Sequence, residues 1–252
     1  VSGIHVVTEP AFWAGYDRSS AGSFRDYFHQ LTVAEPARAA RFGIRHYCWI
    51  GLNSKEAEDI ELSEEVLALI PEYLDRETVL GLGEIGLNKN SRNEIRALER
   101  QLALAAERND LVLIHTPHLE DKLKGTRIIM DMILSEPRIK PERVLIDHAE
   151  EHTIGEIREK GFWYGLTLYP HSKGSPERAV DAVEIYGPDR VCINSSADWS
   201  VSDPLATLKT ANEMRRRGHP EELINRIFYE NPKSFLGQCP KFVIALSPIA
   251  PT

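Results

Sequence analysis

Residues 79–115 contain two apolar runs separated by an amphipathic stretch. The first run reads Val-Leu-Gly-Leu-Gly-Glu (79–84), and the second reads Leu-Val-Leu-Ile-His (111–115). Each run stays apolar up to its last residue, as is typical of parallel strands that are buried on both faces. Between them, apolar residues recur at a spacing of three to four over 93–108, which is the period of a helix with one buried face. This segment therefore predicts a strand, a helix and a second, parallel strand.

The same unit recurs along the whole chain. Short apolar runs predict strands at 4–8, 45–50, 79–84, 111–115, 143–147, 162–167 and 190–194. Amphipathic stretches predict helices at 23–42, 63–74, 93–108, 121–134, 154–160, 176–186, 204–217 and 221–235. No low-complexity segment or linker interrupts this alternation, so we expect a single domain over residues 1–252.

Seven strands alternating with helices fit two α/β folds. A (β/α)8 TIM-type barrel needs eight strands, whereas a doubly wound parallel sheet could be complete with seven. Val1-Ser2-Gly3-Ile4 resembles the joints that lead from a helix into a strand elsewhere, such as residues 41–44. We therefore expect a TIM-type barrel whose first βα unit precedes Val1.

Charge and composition exclude some classes of protein. The net charge of −8 gives no global positive field that would attract nucleic acid or a membrane surface. A nucleic-acid substrate would need a local basic patch or a metal ion. The three cysteines lie far apart and form no CxxC motif, which predicts reduced thiols in a cytoplasmic protein. No apolar run approaches the roughly 18 residues of a membrane span.

Carboxylates and histidines recur where predicted strands end. Glu84 ends the third strand, His115 ends the fourth, His148 follows the fifth, and Asp198 follows the seventh. Taken singly, each has an ordinary explanation, such as a salt-bridged loop residue or a hydrogen-bonded core histidine. Functional groups of parallel α/β folds cluster at these strand ends, however, so all four are expected to converge. Such a set suits one or two divalent cations, with Zn²⁺, Mn²⁺ or Mg²⁺ as candidates.

Two other motifs match known patterns without their structural context. Gly81-x-Gly83-x-x-Gly86 has the spacing of a dinucleotide-binding loop, but its glycines lie within a strand and the next helix begins only near residue 92. Close packing inside the sheet explains these glycines better. His148-Ala149-Glu150-Glu151-His152 has the order of a zinc peptidase motif, yet His148 directly follows a strand and not a helical turn.

Several segments together resemble the TatD-like metal-dependent hydrolases of the amidohydrolase superfamily. They are Gly83-Glu84-Ile85-Gly86-Leu87, Gln101-Leu102-x-Leu104-Ala105, Ile114-His115-Thr116, Asp147-His148, a late Asp198 and a closing Asn231-Pro232. The resemblance runs from about residue 44 to residue 236. It implies a (β/α)8 barrel that binds one or two divalent metals and cleaves phosphoesters, often at nucleic-acid ends.

The resemblance also implies a role for each matching residue. Glu84 would be a carboxylate ligand able to bridge two metals, and His115 and His148 would bind the second metal. Asp198 would bind the first metal and act as the general base toward the attacking water. Glu9 and His118 are further candidate ligands that have no counterpart in the family.

This chain departs from the family pattern at three places. The family's HxH pair at the end of its first strand is absent here and would lie before Val1. Asn88 stands where the family usually has Asp, and Ser196 stands where it has an acidic residue. These losses affect the expected nuclease activity and not the fold.

The sequence thus predicts a metal-dependent hydrolase that acts on a phosphoester or another small molecule, with no membrane partner. An amide or lactone hydrolase is the alternative enzyme. The alternative from another class is a catalytically decayed barrel that serves as a binding protein, and a nucleotide-binding oxidoreductase is a weaker third reading.

Overall fold

The computed structural model describes residues 4–6, 18–118, 121–170, 173–195 and 201–244. Within them, one parallel sheet contains β1 (Ile4–Val6), β2 (His46–Ile50), β3 (Val79–Gly86), β4 (Leu111–His115), β5 (Val144–Asp147), β6 (Trp163–Leu168) and β7 (Val191–Ser195). The helices are α1 (Ala21–His29), α2 (Glu35–Ala40), α3 (Ile60–Leu74), α4 (Arg92–Arg108), α5 (Lys122–Leu134), α6 (Glu151–Glu159), α7 (Pro176–Tyr186), α8 (Ala206–Arg216), α9 (Glu221–Asn225) and α10 (Asn231–Leu236).

The strand order separates the two folds that the sequence left open. Each strand pairs in parallel with the next along the chain, from β1 through to β7. A doubly wound sheet reverses its strand order at a switch point, and no reversal occurs among the described strands. The architecture is therefore α/β and consistent with a TIM-type fold. The eighth strand remains a prediction.

The two faces of the sheet bury different sets of side chains. The outer face packs Ile50, Val112 and Ile146 against the surrounding helices. The inner face is filled by Trp49, Leu80, Leu113, Leu145 and Trp163, with Phe235 of α10 against them. The rings of Trp49 and Phe235 stack with centroids 6.1 Å apart. This apolar layer closes the interior below the strand ends, so polar groups can face inward only at the carboxyl edge.

The predicted helix at 23–42 is divided in the structure. A π-helical turn, Gln30–Ala34, separates α1 from α2. Pro36 has no N–H to donate to the carbonyl four residues before it, which belongs to Thr32. That carbonyl instead accepts a hydrogen bond of 3.1 Å from the Thr78 hydroxyl, just before β3. A side chain 46 residues away thus satisfies the carbonyl.

Helix α3 begins earlier than the expected start at Ser63. Asp59 caps it, because its Oδ1 accepts a hydrogen bond of 3.0 Å from the Leu62 N–H. None of the described helices is long and apolar enough to cross a membrane.

Candidate metal centre

Inward-facing side chains change from apolar to polar at the carboxyl edge of the sheet. Side chains on one face of a strand alternate, so His115 lies two residues beyond Leu113, and Asp147 lies two residues beyond Leu145. His115 and Asp147 are paired in register across β4 and β5. Thr167 and Asn194 are likewise paired across β6 and β7. The alternation of side chains along the strands therefore places these four polar groups together, above the apolar layer.

A carboxylate, a second carboxylate and an imidazole come together at this edge. Oxygen or nitrogen atoms of Glu84, Asp147 and His148 all lie within 4.8 Å of one another. His148 Nε2 is 3.0 Å from Glu84 Oε1, and His148 Nδ1 is 3.6 Å from Asp147 Oδ2. Burying two carboxylates together is costly unless a cation or donors compensate for the charge. This trio is the candidate metal centre among the described residues.

Asp147 and His148 are consecutive, yet both side chains reach the same centre. Neighbouring residues of a strand point to opposite faces, so an extended chain would direct only one of them inward. His148 has a φ of 57°, in the left-handed region that non-glycine residues seldom adopt. This conformation lets the imidazole join the carboxylate that precedes it.

The Thr167 hydroxyl bridges Asp147 and His148. The Thr167 hydroxyl donates to Asp147 Oδ1 at 3.0 Å and lies 2.7 Å from His148 Nδ1. With the single hydroxyl proton directed to Asp147, Nδ1 carries the N–H and donates it to Thr167. Burial lowers the pKa of His148 well below its ordinary value, and Lys173 lowers it further. The imidazole is therefore neutral, and its Nε2 presents a lone pair to Glu84.

These donors fit a divalent cation. The Nε2 lone pair and the Glu84 carboxylate face each other at 3.0 Å, an arrangement that a cation would stabilise. Asp147 Oδ1 accepts hydrogen bonds from Thr167 and from Asn194 Nδ2, both at 3.0 Å, which leaves Oδ2 on the side of His148. Lys173 Nζ lies 3.2 Å from Nδ1 and 3.1 Å from Nε2. Because Nζ is almost equidistant from the two ring nitrogens, it does not lie along the lone-pair direction of Nε2.

His115 is beside this trio but is differently engaged. Its Nε2 lies 3.0 Å from the Ser54 hydroxyl, and its ring centroid is 6.3 Å from that of His148. Burial lowers the pKa of His115 to about 4, against an opposing effect of Glu84, so the ring is neutral at pH 7. A neutral imidazole retains a lone pair for a metal, and His115 therefore stays a candidate ligand.

The remaining predicted site residues fall into two groups. Glu9 and Asp198 lie outside the described residues, as does Ser196. His118 is exposed in the loop after β4. Asn88 is buried in the loop after β3, where its backbone N–H donates to Glu94 Oε2 at 2.9 Å. The structure therefore brings Glu84 and His148 together, with His115 adjacent.

The two unrelated motifs have structural explanations. Gly81, Gly83 and Gly86 lie within β3 against β4, and a Cβ on any of them would lie within 3.0 Å of an atom of β4. These glycines permit close strand packing and form no phosphate-binding loop, as the sequence predicted. His148 lies before α6 and not on it, so His148 and His152 do not share a helical face.

Sequence reasoning missed Asp147, Thr167, Asn194 and Lys173. The sequence pattern included Asp147 only as the residue before His148. Asp147 is two residues beyond Leu145, however, and therefore faces the same side of the sheet. Counting that period through each predicted strand would also have selected Thr167 and Asn194. Lys173 follows a loop after β6, and no periodicity indicated where its side chain would reach.

The parallel sheet and the Glu–Asp–His set at its carboxyl edge are consistent with a metal-dependent hydrolase of the TIM type. A sequence model of the family described as "TatD related DNase" matches residues 25–237. The chain therefore belongs to the TatD-related DNase family, which confirms the resemblance found in the sequence.

A curated relative agrees with this assignment, and a solved structure shares the fold. A metal-dependent hydrolase of Methanocaldococcus jannaschii is 29% identical over 220 residues, covering 87% of this chain and 85% of the relative. The crystal structure of the TatD-like protein of Archaeoglobus fulgidus has a TM-score of 0.72 at 24% identity, over 94% of this chain and 90% of that one.

A more distant structure shares the fold. It is the phosphotriesterase homology protein of Escherichia coli, whose crystal structure has phosphate in the active site. Its TM-score is 0.65 at 13% identity, over 93% of this chain and 99% of that one.

Proposed function

We propose that this metal-dependent hydrolase acts on phosphoesters, with Glu84, Asp147 and His148 among the ligands of its cation. The observation that carries the proposal is a set of cationic side chains at the mouth of a site in an otherwise acidic protein. Lys173 lies 3.1 Å from His148 Nε2. Burial lowers the pKa of Lys55. The nearby charge of Lys173 lowers it further, and that of Glu84 raises it, so both groups lie close to Lys55.

His118 lies within the electric field of the same lysines. Partial desolvation lowers its pKa, and Lys173, Lys122 and Lys55 lower it further, so the positive charge is carried by these lysines and not by the His118 ring. Positive groups gathered over a concave site raise the local concentration of anions, even when the net charge of the protein is −8. An anionic phosphoester gains from such a field, whereas a neutral amide or lactone does not.

The residues divide the chemistry between them. A divalent cation at the trio would supply Lewis acidity toward a phosphoryl oxygen and toward the attacking water. Thr167 orients Asp147 and His148, because its hydroxyl bonds to Asp147 Oδ1 at 3.0 Å and to His148 Nδ1 at 2.7 Å. Lys173 and Lys55 would bind the remaining phosphoryl oxygens as charge-assisted donors. Asp198 would accept the proton of the attacking water, a role that rests on the family resemblance.

Three finer features belong to this proposal. Zn²⁺, Mn²⁺ and Mg²⁺ remain the candidate cations, in one or two copies, because the donors are carboxylate oxygens and an imidazole nitrogen. The sequential order of parallel strands supports a (β/α)8 barrel. A nucleic-acid end is one phosphoester that the site could accept, and the family description favours it, whereas Asn88 and the net charge do not.

The proposal is tested with protein purified without chelators, after elemental analysis for Zn, Mn and Fe and a titration with Mg²⁺. The loaded protein is assayed on p-nitrophenyl phosphate, bis(p-nitrophenyl) phosphate, a 5′-phosphorylated oligonucleotide, a lactone and an N-acyl amide. We expect turnover of at least one phosphoester and its loss in Glu84→Gln. Turnover of the lactone or amide alone would overturn the proposal in favour of the alternative enzyme.

Lys173→Gln separates phosphoester binding from general damage to the site. A hydrogen bond to a charged group contributes about 1.5–3 kcal/mol, so KM for the phosphoester should rise by roughly tenfold or more. The matched control is Lys124→Gln, on the exposed side of α5, which should leave KM unchanged.

A further inference from the structure

The backbone after β5 is held by donors from another element. The Lys122 ammonium donates to the His148 carbonyl oxygen at 2.8 Å. The Thr116 hydroxyl lies 3.1 Å from the carbonyl oxygen of Asp147 and 3.2 Å from that of His148. On the far side of the same residue, the Ala149 N–H donates to the Gly165 carbonyl at 2.9 Å. The peptide groups that flank His148 are therefore fixed on both sides.

Fixing this backbone has a direct consequence for the metal centre. The left-handed conformation is unfavourable for a residue with a Cβ and persists only where the surroundings impose it. With φ of 57° at His148, both Asp147 and His148 face the centre. In the extended conformation, His148 would follow strand alternation and turn away from Glu84.

Lys122 is well placed to impose that conformation. Its side chain is only 11% exposed, and its ammonium pairs with Glu150 Oε1 at 3.0 Å. Glu150 also lies near Arg178, at 3.6 Å, so the charge of Glu150 has a second partner. The ammonium of Lys122 therefore pairs with Glu150 and at the same time donates a hydrogen bond to the His148 carbonyl, which holds the backbone of residue 148.

We infer that Lys122 is a positioning residue that holds His148 in the left-handed conformation and so assembles the Glu84–Asp147–His148 centre. It touches no reacting atom in this role and acts through the His148 carbonyl. The inference rests on the metal-dependent function proposed above and adds a determinant of metal affinity outside the ligands.

The test compares Lys122→Met with Lys122→Arg and with the exposed control Lys124→Met. Zn²⁺ and Mn²⁺ are titrated into each metal-free protein by calorimetry, and the thermal midpoint of each metal-free protein is recorded. Loss of a residue that orients a ligand typically lowers metal affinity by about 10–100-fold, which is the expected effect of Lys122→Met. Lys122→Arg retains donors and charge and should recover part of the affinity, whereas Lys124→Met should match the wild type.

A crystal structure of metal-free Lys122→Met supplies a readout that does not depend on metal. We expect residue 148 to adopt a negative φ and its Nε2 to leave Glu84. An unchanged φ together with unchanged affinity would overturn the inference while leaving the proposed function intact. If the wild-type protein binds neither of these metals nor Mg²⁺, the proposed function fails and this inference fails with it. Should Lys122→Met not fold, Lys122→Gln replaces it, since its amide can stay solvated at the same place.

Discussion

Gly165 lies directly against the carboxylate of Asp147. A Cβ built on residue 165 would be 2.0 Å from Asp147 Oδ1 and 2.8 Å from its Cγ. Both residues are on inward-facing positions of neighbouring strands, β5 and β6. The absence of a side chain at residue 165 thus creates the space that the Asp147 carboxylate occupies.

Gly165→Ala should therefore displace a candidate metal ligand. The added methyl forces the Asp147 carboxylate away from Thr167 and Asn194, because neither strand can retreat from a paired sheet. We expect metal affinity to fall by about tenfold or more, as for other changes that misplace a ligand. Calorimetric titration of Mn²⁺ and Zn²⁺ into the metal-free variant measures this loss.

Gly155→Ala is the matched control for this substitution. Residue 155 is exposed on α6, and a Cβ there would meet nothing within 4 Å. Alanine is preferred to glycine inside a helix, so the control should gain about 0.5–1 kcal/mol of stability. Equal metal affinities in Gly165→Ala and Gly155→Ala would rule out Asp147 as a ligand.

Thr167 offers a second, independent test of the centre. Thr167→Val keeps the shape of the side chain but removes the hydroxyl that donates to Asp147 and accepts from His148. We expect metal affinity to drop by about 10–100-fold, because the imidazole loses the partner that sets its tautomer. Thr167→Ser retains the hydroxyl and should bind metal nearly as the wild type does. If valine and serine behave alike, the proton assignment at His148 is wrong.

Gln101 belongs to the family-like segment of α4, and the structure explains its presence. Its Oε1 accepts from the Leu52 N–H at 2.8 Å, and its Nε2 donates to the Leu52 carbonyl at 3.1 Å. This pair of bonds anchors the exit of β2, where Asn53 and Ser54 contact Glu84 and His115.

Gln101→Met should destabilise the fold because it leaves both backbone groups of Leu52 buried without their partner. An unsatisfied buried group costs about 1–3 kcal/mol, and chemical denaturation measures the change in the free energy of unfolding. Gln238→Met removes an exposed amide bond to the Glu142 carbonyl and should change stability by less than about 0.5 kcal/mol. A Gln101→Met variant as stable as this control would show that the anchor is dispensable.

Periodicity and strand ends were enough to predict most of the fold and part of the centre. The parallel strands, Glu84 and His148 follow from where apolar runs stop. Asp147 was not selected as a ligand because only His148 was taken from this strand end, although Asp147 lies at the inward period of Leu145. The left-handed φ at His148 depends on Lys122 and Thr116, which are distant in sequence, and a histidine carries no local signal for it.

The division of the first predicted helix has a similar cause. Pro36 indicates a break in hydrogen bonding, yet only the fold shows that the hydroxyl of Thr78 satisfies the Thr32 carbonyl. Local sequence therefore predicts which backbone groups need a partner, and tertiary contacts decide which side chain supplies it.

Glu213 on α8 accepts hydrogen bonds from two arginines at the end of the same helix, Arg216 and Arg217. It bonds to Arg216 through both oxygens, at 2.6 and 2.7 Å, and its Oε1 accepts from Arg217 Nε at 2.7 Å. Arg217 also bonds to Asp181 on α7 at 2.6 Å, so the network joins two neighbouring helices. Hydrogen bonds from Arg216 and Arg217 lower the pKa of Glu213 from 4.5 to about 2.

A carboxyl group with a lowered pKa in the folded state stabilises the protein only while it is ionised there. The contribution of Glu213 should be complete above pH 4.5 and should disappear as the pH falls through about 2. Denaturation of wild type and Glu213→Gln at pH 7, 5, 4 and 3 measures it. We expect the wild type to be more stable at pH 7, with the difference shrinking toward pH 3. Glu222→Gln, at an exposed position of α9, is the control and should change stability by less than about 0.5 kcal/mol at pH 7. A stability difference between wild type and Glu213→Gln that stays constant down to pH 3 would contradict the lowered pKa.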